Sequence, residues 1–419
     1  MNGILWAASC TEEVPATRLS GEHGADLVVI GGGFTGCAAA LEAAGQGARV
    51  IVLEAETVGH GGSGRNVGLV NAGLWLPPDQ VEAKMGAEAG QRLNAALADG
   101  PAQVWEMVDR HAIACEATRA GTLHCAHTPK AMSELQARHR QQAARRAPVA
   151  LLDAPEARGR LGSDRIHGAL HDARAGTVQP MGYVRGLARA AAGLGAQIVQ
   201  GAPVTAMARD GDGWRVDVPG ARVRAGALLL ATNAYHRPTQ GARLPPMTPV
   251  NFFQLATVPL SSNAAGSILP GGEGAWDTGL IMTSYRKDAA GRLILGAMGK
   301  PDAVGLHRSW AARALARLFP QAAGAGLEYF WSGRIAMTGD KIPKIQRLGP
   351  GGYAVFGYSG RGIAPGTVMG RACARALLTG DESGLPLAPV DRHDESWTVL
   401  RGLYFEAGAR LLHGLGARI

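Results

Sequence analysis

The 419-residue chain is poor in cysteine, and its five, Cys10, Cys37, Cys115, Cys125 and Cys373, are odd in number, widely spaced and free of any C-x-x-C. This argues against a disulfide framework and predicts reduced thiols in a cytoplasmic protein. No uninterrupted run of about 18 apolar residues occurs, so no transmembrane helix is expected. The opening MNGILWAASC has no basic leader and too short an apolar stretch for a signal peptide. A G-x-S-x-G is missing, which leaves a hydrolase with an elbow serine unsupported. Low-complexity segments and internal repeats are missing too. The formal net charge is +8, yet basic runs flanked by aromatics are lacking. The excess therefore speaks against nucleic acid and for an anionic substrate or weak attraction to a membrane surface. The densest basic run, Arg138 to Arg146, reads as a solvated helix face. Glycine, by contrast, is abundant at 60 residues, with 46% apolar and 18% charged residues. Such a composition is that of a globular protein with many tight turns, and the length predicts two domains.

Residues 26–30 (DLVVI) form a short apolar run of the kind found in buried parallel strands. A turn, Gly31-Gly32-Gly33-Phe34-Thr35-Gly36, follows directly, then a helix of small residues over 34–46 and a second buried strand over 49–54. A G-x-G-x-x-G in this β-α-β setting is a dinucleotide signature. Gly31 permits the tight turn, Gly33 lets the backbone approach a pyrophosphate, and Gly36 permits close helix packing. The helix N-terminus, at Phe34 and Thr35, offers unpaired N–H groups to the phosphates. Glu54, 18 residues after Gly36, is placed to accept hydrogen bonds from an adenosine ribose. Downstream, Ala-rich helices dominate 86–147, broken by a strand near 121–127. A helix at 184–194 leads to strands at 197–209, 213–218 and 221–224, and a buried run at 227–231 ends in Thr232-Asn233. From 245 to 298 the pattern is strand-rich, and helices are predicted over 309–319 and over about 367–378.

A second glycine-rich loop, Gly59-His60-Gly61-Gly62-Ser63-Gly64-Arg65-Asn66-Val67-Gly68, follows the acid. Nicotinamide-dinucleotide folds have no evident need of it. With this loop the sequence resembles the D-amino-acid oxidase superfamily of FAD proteins, especially the branch of gamma-glutamylputrescine oxidase and related amine oxidases. The resemblance extends to ILWAAS near the start, GTLHCAHTP at 121–129, ATNAY at 231–235, WSGRIAMTGDKIP at 331–343 and GYSGRGI at 357–363.

The resemblance implies an α/β fold: a discontinuous Rossmann-like FAD-binding domain (1–85, 150–240 and 335–419) and an inserted α+β substrate domain on a largely antiparallel sheet (86–149 and 241–334). It implies an FAD site formed by Gly31, Gly33, Phe34, Thr35, Gly36, Glu54, Ala55, Gly62, Ser63, Arg65, Asn66, Val204, Thr232, Gly360, Gly362 and Ile363. For Val204 an ordinary strand valine is an equal alternative, and for Thr232 a polar strand-ending turn. Gly333 matches the position at which sarcosine oxidases carry a flavin-linking Cys, so non-covalent FAD is expected. Arg334, Arg361 and Tyr358 are the substrate-side candidates. Arg334 would pair with a substrate carboxylate, or else with Asp340 or a flavin carbonyl, and Arg361 departs from the His of many relatives. His124, Cys125 and His127 are not expected to bind metal, because neighbours on a strand point to opposite faces. Asp391, Asp394 and Glu395 read as solvated surface.

The implied activity is oxidation of a C–N bond of a small amine or amino acid by hydride transfer to flavin N5, with oxygen or another acceptor taking the electrons. Alternatives are a dehydrogenase of the same fold feeding a quinone or electron-transfer protein, and a non-catalytic flavoprotein subunit or redox sensor. A homo-oligomer is left open.

Overall fold

A computed structural model describes residues 3–15, 17–301 and 304–415. Two eight-stranded sheets organise them. In the first, Gly21–Ile30 lies centrally, with Val50–Leu53 parallel on one side and Ala221–Leu230 parallel on the other. Gln197–Val199 extends the parallel array beyond Val50–Leu53, and Gly352–Phe356 does so beyond Ala221–Leu230. The apolar runs seen in the sequence suit this position, since a strand covered on both faces can spare no polar side chain. Leu27, Val29, Val50, Val52 and Leu229 pack against the helices Phe34–Gly45, Pro180–Gly193 and Ile363–Thr379. Val28, Ile30, Ile51, Leu53, Leu228 and Leu230 point the other way, onto Trp214 and Val216 of an antiparallel hairpin.

Two predicted strand boundaries change. Residues 221–224 and 227–230 belong to one ten-residue strand, Ala221–Leu230, and Ala231 lies just past its end. Its first half is covered on one face and alternates, while its second half is covered on both and does not, so one strand reads as two. The 197–209 run is instead two strands, broken at Gly201, whose φ of +68° turns the chain.

The second sheet is antiparallel except where Gly274–Asp277 runs parallel to Thr122–Cys125. Its long central pair, Thr248–Pro259 and Leu327–Met337, aligns Gln254 with Trp331 and Asn251 with Arg334. One face carries Phe253, Leu255, Tyr285 and Leu295, packed under Trp310, Leu315 and Phe319 of the helix Leu306–Leu318 and the turn after it. The alternate residues face the first sheet. Chain segments interleave between the layers: Ala169–Asp172, from the 150–240 stretch, pairs in the second sheet. Gly100–Arg110, from the 86–149 stretch, packs on Ile363–Thr379, with Gly100 against Ala364. The chain is thus α/β, a Rossmann-like layer joined to a largely antiparallel one.

Among the described residues no helix is long and apolar enough to cross a membrane. The five cysteines are free, and all but Cys10 are buried.

Candidate active site

At the end of the central strand the chain turns through Gly31, at φ +111°, where a Cβ would come within 2.9 Å of the Ala231 carbonyl oxygen. A Cβ on Gly36 would overlap the carbonyl of Gly31, so Gly36 lets the helix Phe34–Gly45 start tight against its own turn. The Glu54 carboxylate, just past Val50–Leu53, accepts from the Gly32 N–H (2.7 Å) and the Glu56 N–H (2.9 Å). A carboxylate has lone pairs to spare for further donors. Gly31, Gly33, Phe34, Thr35, Glu54, Ala55, Val204 and Thr232 all line one end of a cavity of about 440 Å³. Gly36 lies behind that wall.

The second glycine loop forms the adjoining wall with Gly62, Ser63 and Asn66. Ser63 Oγ accepts from the Phe34 N–H at 3.0 Å, joining loop to helix N-terminus. Asn66 donates to the carbonyls of Gly62 and Ser63 and accepts from the Gly68 N–H, so its amide braces the turn. Arg65, expected to contact the cofactor, is not among the residues that line the cavity. Its Nε donates to the His60 carbonyl (2.7 Å) and its Nη1 to the Ser332 carbonyl (3.1 Å), tying the loop to the second sheet. Two indoles secure the same loop: Trp331 Nε1 donates to the Arg65 carbonyl and Trp6 Nε1 to that of Asn66. Sequence reasoning missed both. The ILWAAS segment holding Trp6 was a signal, but nothing local says what its ring meets.

The last loop brings Tyr358, Gly360, Arg361, Gly362 and Ile363 to the cavity. The helix expected over 367–378 begins at Ile363, four residues before the predicted start. Pro365 and Gly366 read as loop, but a proline is tolerated in the first turn, where its missing N–H breaks no helical bond. Gly362 is thereby the N-cap. Tyr358 OH bonds to Thr35 Oγ1 at 2.7 Å, and burial pushes its pKa up, so the phenol stays protonated.

The far end of the cavity rests on the second sheet. Register aligns Gln254 with Gly296, Gly296 with Ser284, Ser284 with Trp276, and Trp276 with His124 in one cross-strand row. All but His124 line the cavity. The imidazole of His124 stacks on Trp276, and burial together with Arg138 and Arg361 drives its pKa down, so it is neutral. Among the described residues no group of three or more His, Cys, Asp or Glu is arranged to hold a metal.

The two candidate arginines differ in setting. Arg334 is exposed, its guanidinium 4.9 Å from the ring centre of Tyr235, whose hydroxyl accepts from the Arg334 backbone N–H. Asp340, the alternative partner considered for Arg334, pairs with Lys344. Arg361 is 7% exposed and lies between Trp75 and Trp276, 4.8 and 5.3 Å from their ring centres. Arg138, read as part of a solvated face, departs from that reading. It reaches inward to donate to the carbonyls of Leu74 and Trp75, and burial pulls its pKa down to about 10. Glu395 departs too, its carboxylate buried beside His393 and Arg401 and accepting from the Gly339 N–H.

Residues 26–376 match the family model described as FAD dependent oxidoreductase. The chain belongs to that family. It is similar to "Probable oxidoreductase OrdL" of Haemophilus influenzae, at 32% identity over 88% of this chain and 85% of the relative. It is similar also to the gamma-glutamylputrescine oxidoreductase of Escherichia coli, at 30% identity over 90% of this chain and 88% of the relative. Among solved structures, glycine oxidase from Geobacillus kaustophilus superimposes with a TM-score of 0.71 at 23% identity, covering 88% of this chain and 99% of that one. The chain is an FAD-dependent amine or amino-acid oxidoreductase.

The cavity suits the cofactor of this FAD-dependent family. Its Gly31 end is walled by backbone, and a side chain on Gly33 would protrude toward Ser63 Oγ, into the cradle between turn and loop. Two helix N-termini, at Phe34 and Ile363, open onto it, and such termini favour negative charge. No cysteine lines it. At Gly333 even a Cβ would overlap the Phe252 ring, so the position of the covalent link in sarcosine oxidases has no room for a thiol.

Proposed function

We propose that the protein oxidises the C–N bond of a small amine or amino acid, in a reducing, cytoplasmic setting. The observation that carries this reading is the continuity of one cavity from the Gly31 turn to the Gln254–Trp276 row, so that a dinucleotide and a small substrate share it. The first layer holds the cofactor and the second presents the substrate.

In this reading Gly31, Gly33 and the Thr35 N–H receive the diphosphate beside the Phe34 N–H that Ser63 holds, Glu54 the ribose and Val204 the adenine. Ser63, Asn66, Thr232, Gly360, Gly362 and Ile363 position the rest, and the Ile363 helix terminus faces charge that builds on the reduced ring. The chemistry that bound FAD supplies is acceptance, at its N5, of a hydride from the carbon beside a neutral amine, leaving an imine that water hydrolyses. The lining carboxylates, Glu54 and Glu56, both belong to the Gly31 end, so substrate deprotonation is left to solvent rather than to a carboxylate base. Trp75, Phe252, Trp276, Met282 and Met298 give the substrate end an apolar wall that restricts water.

The test is anaerobic mixing of the yellow holoprotein with amino acids, N-methylated amino acids and polyamine derivatives, watching the flavin absorbance. Bleaching by at least one of them is expected, and admission of air then reports whether oxygen is the acceptor. Yellow protein that no amine bleaches would sink the proposal.

A further inference from the structure

The helix Thr398–Leu415 packs on the Phe253 face of the second sheet, with Gly402 against Pro249 and the His413 imidazole stacked on Trp310 at 3.8 Å between ring centres. A surface helix ordinarily turns its apolar residues inward and its polar ones outward. This one does the reverse. It buries Thr398, Ala409 and His413, whereas Val399, Leu400, Leu403, Tyr404, Leu411 and Leu415 are 56 to 71% exposed. At 3.6 residues per turn those six fall on one face. Arg410, the charged residue on that face, pairs with Glu406. Trp397, just before the helix, is 73% exposed. Gly408 faces Ile281, and Leu280 beside it, 57% exposed, extends the patch. Of the eleven large apolar side chains that the described residues expose, seven lie within 397–415. The apolar area is thus concentrated in one place, and such a patch marks a contact with protein or lipid.

The neighbouring helix supplies charge of one sign. Leu306–Leu318 carries Arg308, Arg313 and Arg317, all exposed, and contains no Asp or Glu. It is fastened to Thr398–Leu415 at His413. Besides the Trp310 stack, His307 and His413 share a hydrogen bond of 2.7 Å between their Nδ1 atoms, and Arg313 Nη2 donates to the His413 carbonyl at 3.5 Å. Lys300, also exposed, is held to the same helix by its backbone N–H, which donates to the Glu406 carboxylate at 3.0 Å. The apolar face therefore has a row of cations along its flank.

That charge decides between the two kinds of cover. Two copies joined through this face would each bring Arg308 and Arg313 to one interface, and the helix that carries them offers no acid in return. An anionic lipid leaflet offers acid in its headgroups and hydrocarbon just beneath them. Trp397 and Tyr404, each with an apolar body and a polar tip, are side chains of the kind that settle at such a boundary.

We propose that Thr398–Leu415 seats the protein on the surface of an anionic lipid bilayer. The helix lies in the plane of the surface, with Leu400, Leu403, Leu411 and Leu415 toward the acyl chains and Arg308, Arg313 and Arg410 at the headgroups. The net charge of +8 adds a longer-range attraction. Seating of this kind is separate from the amine chemistry and does not depend on it.

The test floats FAD-loaded protein through a density gradient with vesicles of phosphatidylcholine, either alone or with about 30% phosphatidylglycerol. The wild type should float with the anionic vesicles and bind the neutral ones at least about tenfold more weakly. Leu403→Ser/Leu411→Ser removes apolar surface without changing charge, and it should lower binding to the anionic vesicles at least about tenfold. Arg308→Gln/Arg313→Gln should lower it about tenfold as well, while leaving binding to neutral vesicles unchanged. All four side chains are exposed, so flavin content and melting temperature should stay at wild-type values in both variants. A wild type that floats with neither vesicle, that binds both equally, or whose binding survives Leu403→Ser/Leu411→Ser would overturn the proposal. A lipid-free dimer that Leu403→Ser/Leu411→Ser dissociates in sedimentation, with no vesicle binding, would overturn it too and assign the face to a second copy of the chain.

Discussion

At the Gly31 end of the cavity the backbone does the holding, and nearly every polar group already has a partner: Glu54 with the Gly32 and Glu56 N–H groups, Ser63 with that of Phe34, Asn66 with its own turn. At the Trp276 end side chains do the holding, and Arg361, Trp276 and Gln254 leave polar atoms unpaired. A cofactor that stays through every turnover is met by a wall rigid before it arrives. In the proposed reading a substrate that comes and goes occupies the other end, which is walled by side chains. The contrast separates permanent from transient occupancy within one cavity.

The largest effects should follow changes to the backbone-walled end. Gly36→Ala places a Cβ into the Gly31 carbonyl, and a loss of about 3 kcal/mol or more is expected in urea unfolding, together with loss of flavin. Gly33→Val differs instructively, because the added carbon meets only the Ser63 hydroxyl. It should give folded but colourless protein, and a yellow Gly33→Val protein would show that the cradle is not where the diphosphate lies. Arg65→Ala comes next. It cuts the loop from the Ser332 carbonyl and should weaken FAD retention about tenfold, read by fluorescence of released flavin, since one charge-assisted bond to a half-exposed group contributes ~1.5 kcal/mol. The smallest effect should come from the other end. Gly296→Ala pushes on the flexible amide of Gln254, so the melting temperature should move by no more than about 2 °C while KM rises about threefold. Equal effects on stability from Gly36→Ala and Gly296→Ala would erase the distinction between the two ends.

How legible each end was in the sequence follows the same division. Backbone walls demand particular residues at fixed local spacing, so Gly31, Gly33, Gly36 and Glu54 could be read within 24 residues. The apolar runs flanking them announced buried parallel strands for the same reason. The substrate end is assembled by register. Gln254, Gly296, Ser284, Trp276 and His124 become neighbours only through four strand pairings, and nothing within any one segment foretells which residues of the others it will meet. Arg138 and Arg65 misled for a related reason. A helix-face or loop arginine has the same local signature whether it ends in water or reaches a carbonyl, as these do, 63 and 267 positions away.

The central strand of the first sheet has one further consequence, which concerns time. Gly21–Ile30 is made some two hundred residues before its neighbour Ala221–Leu230, and the next strand out is Gly352–Phe356. The cofactor loop waits as well, since Arg65 is fastened by Trp331, 266 residues on. Pairings this distant form late, because the intervening chain must close before they give any return. Nascent chains arrested before residue 320 should leave added FAD free, and flavin retained by them would refute this order. The segment that names the cofactor is thus translated long before the strand that pairs with it and the indole that fastens its loop, so flavin capture should report that Trp331 has been reached.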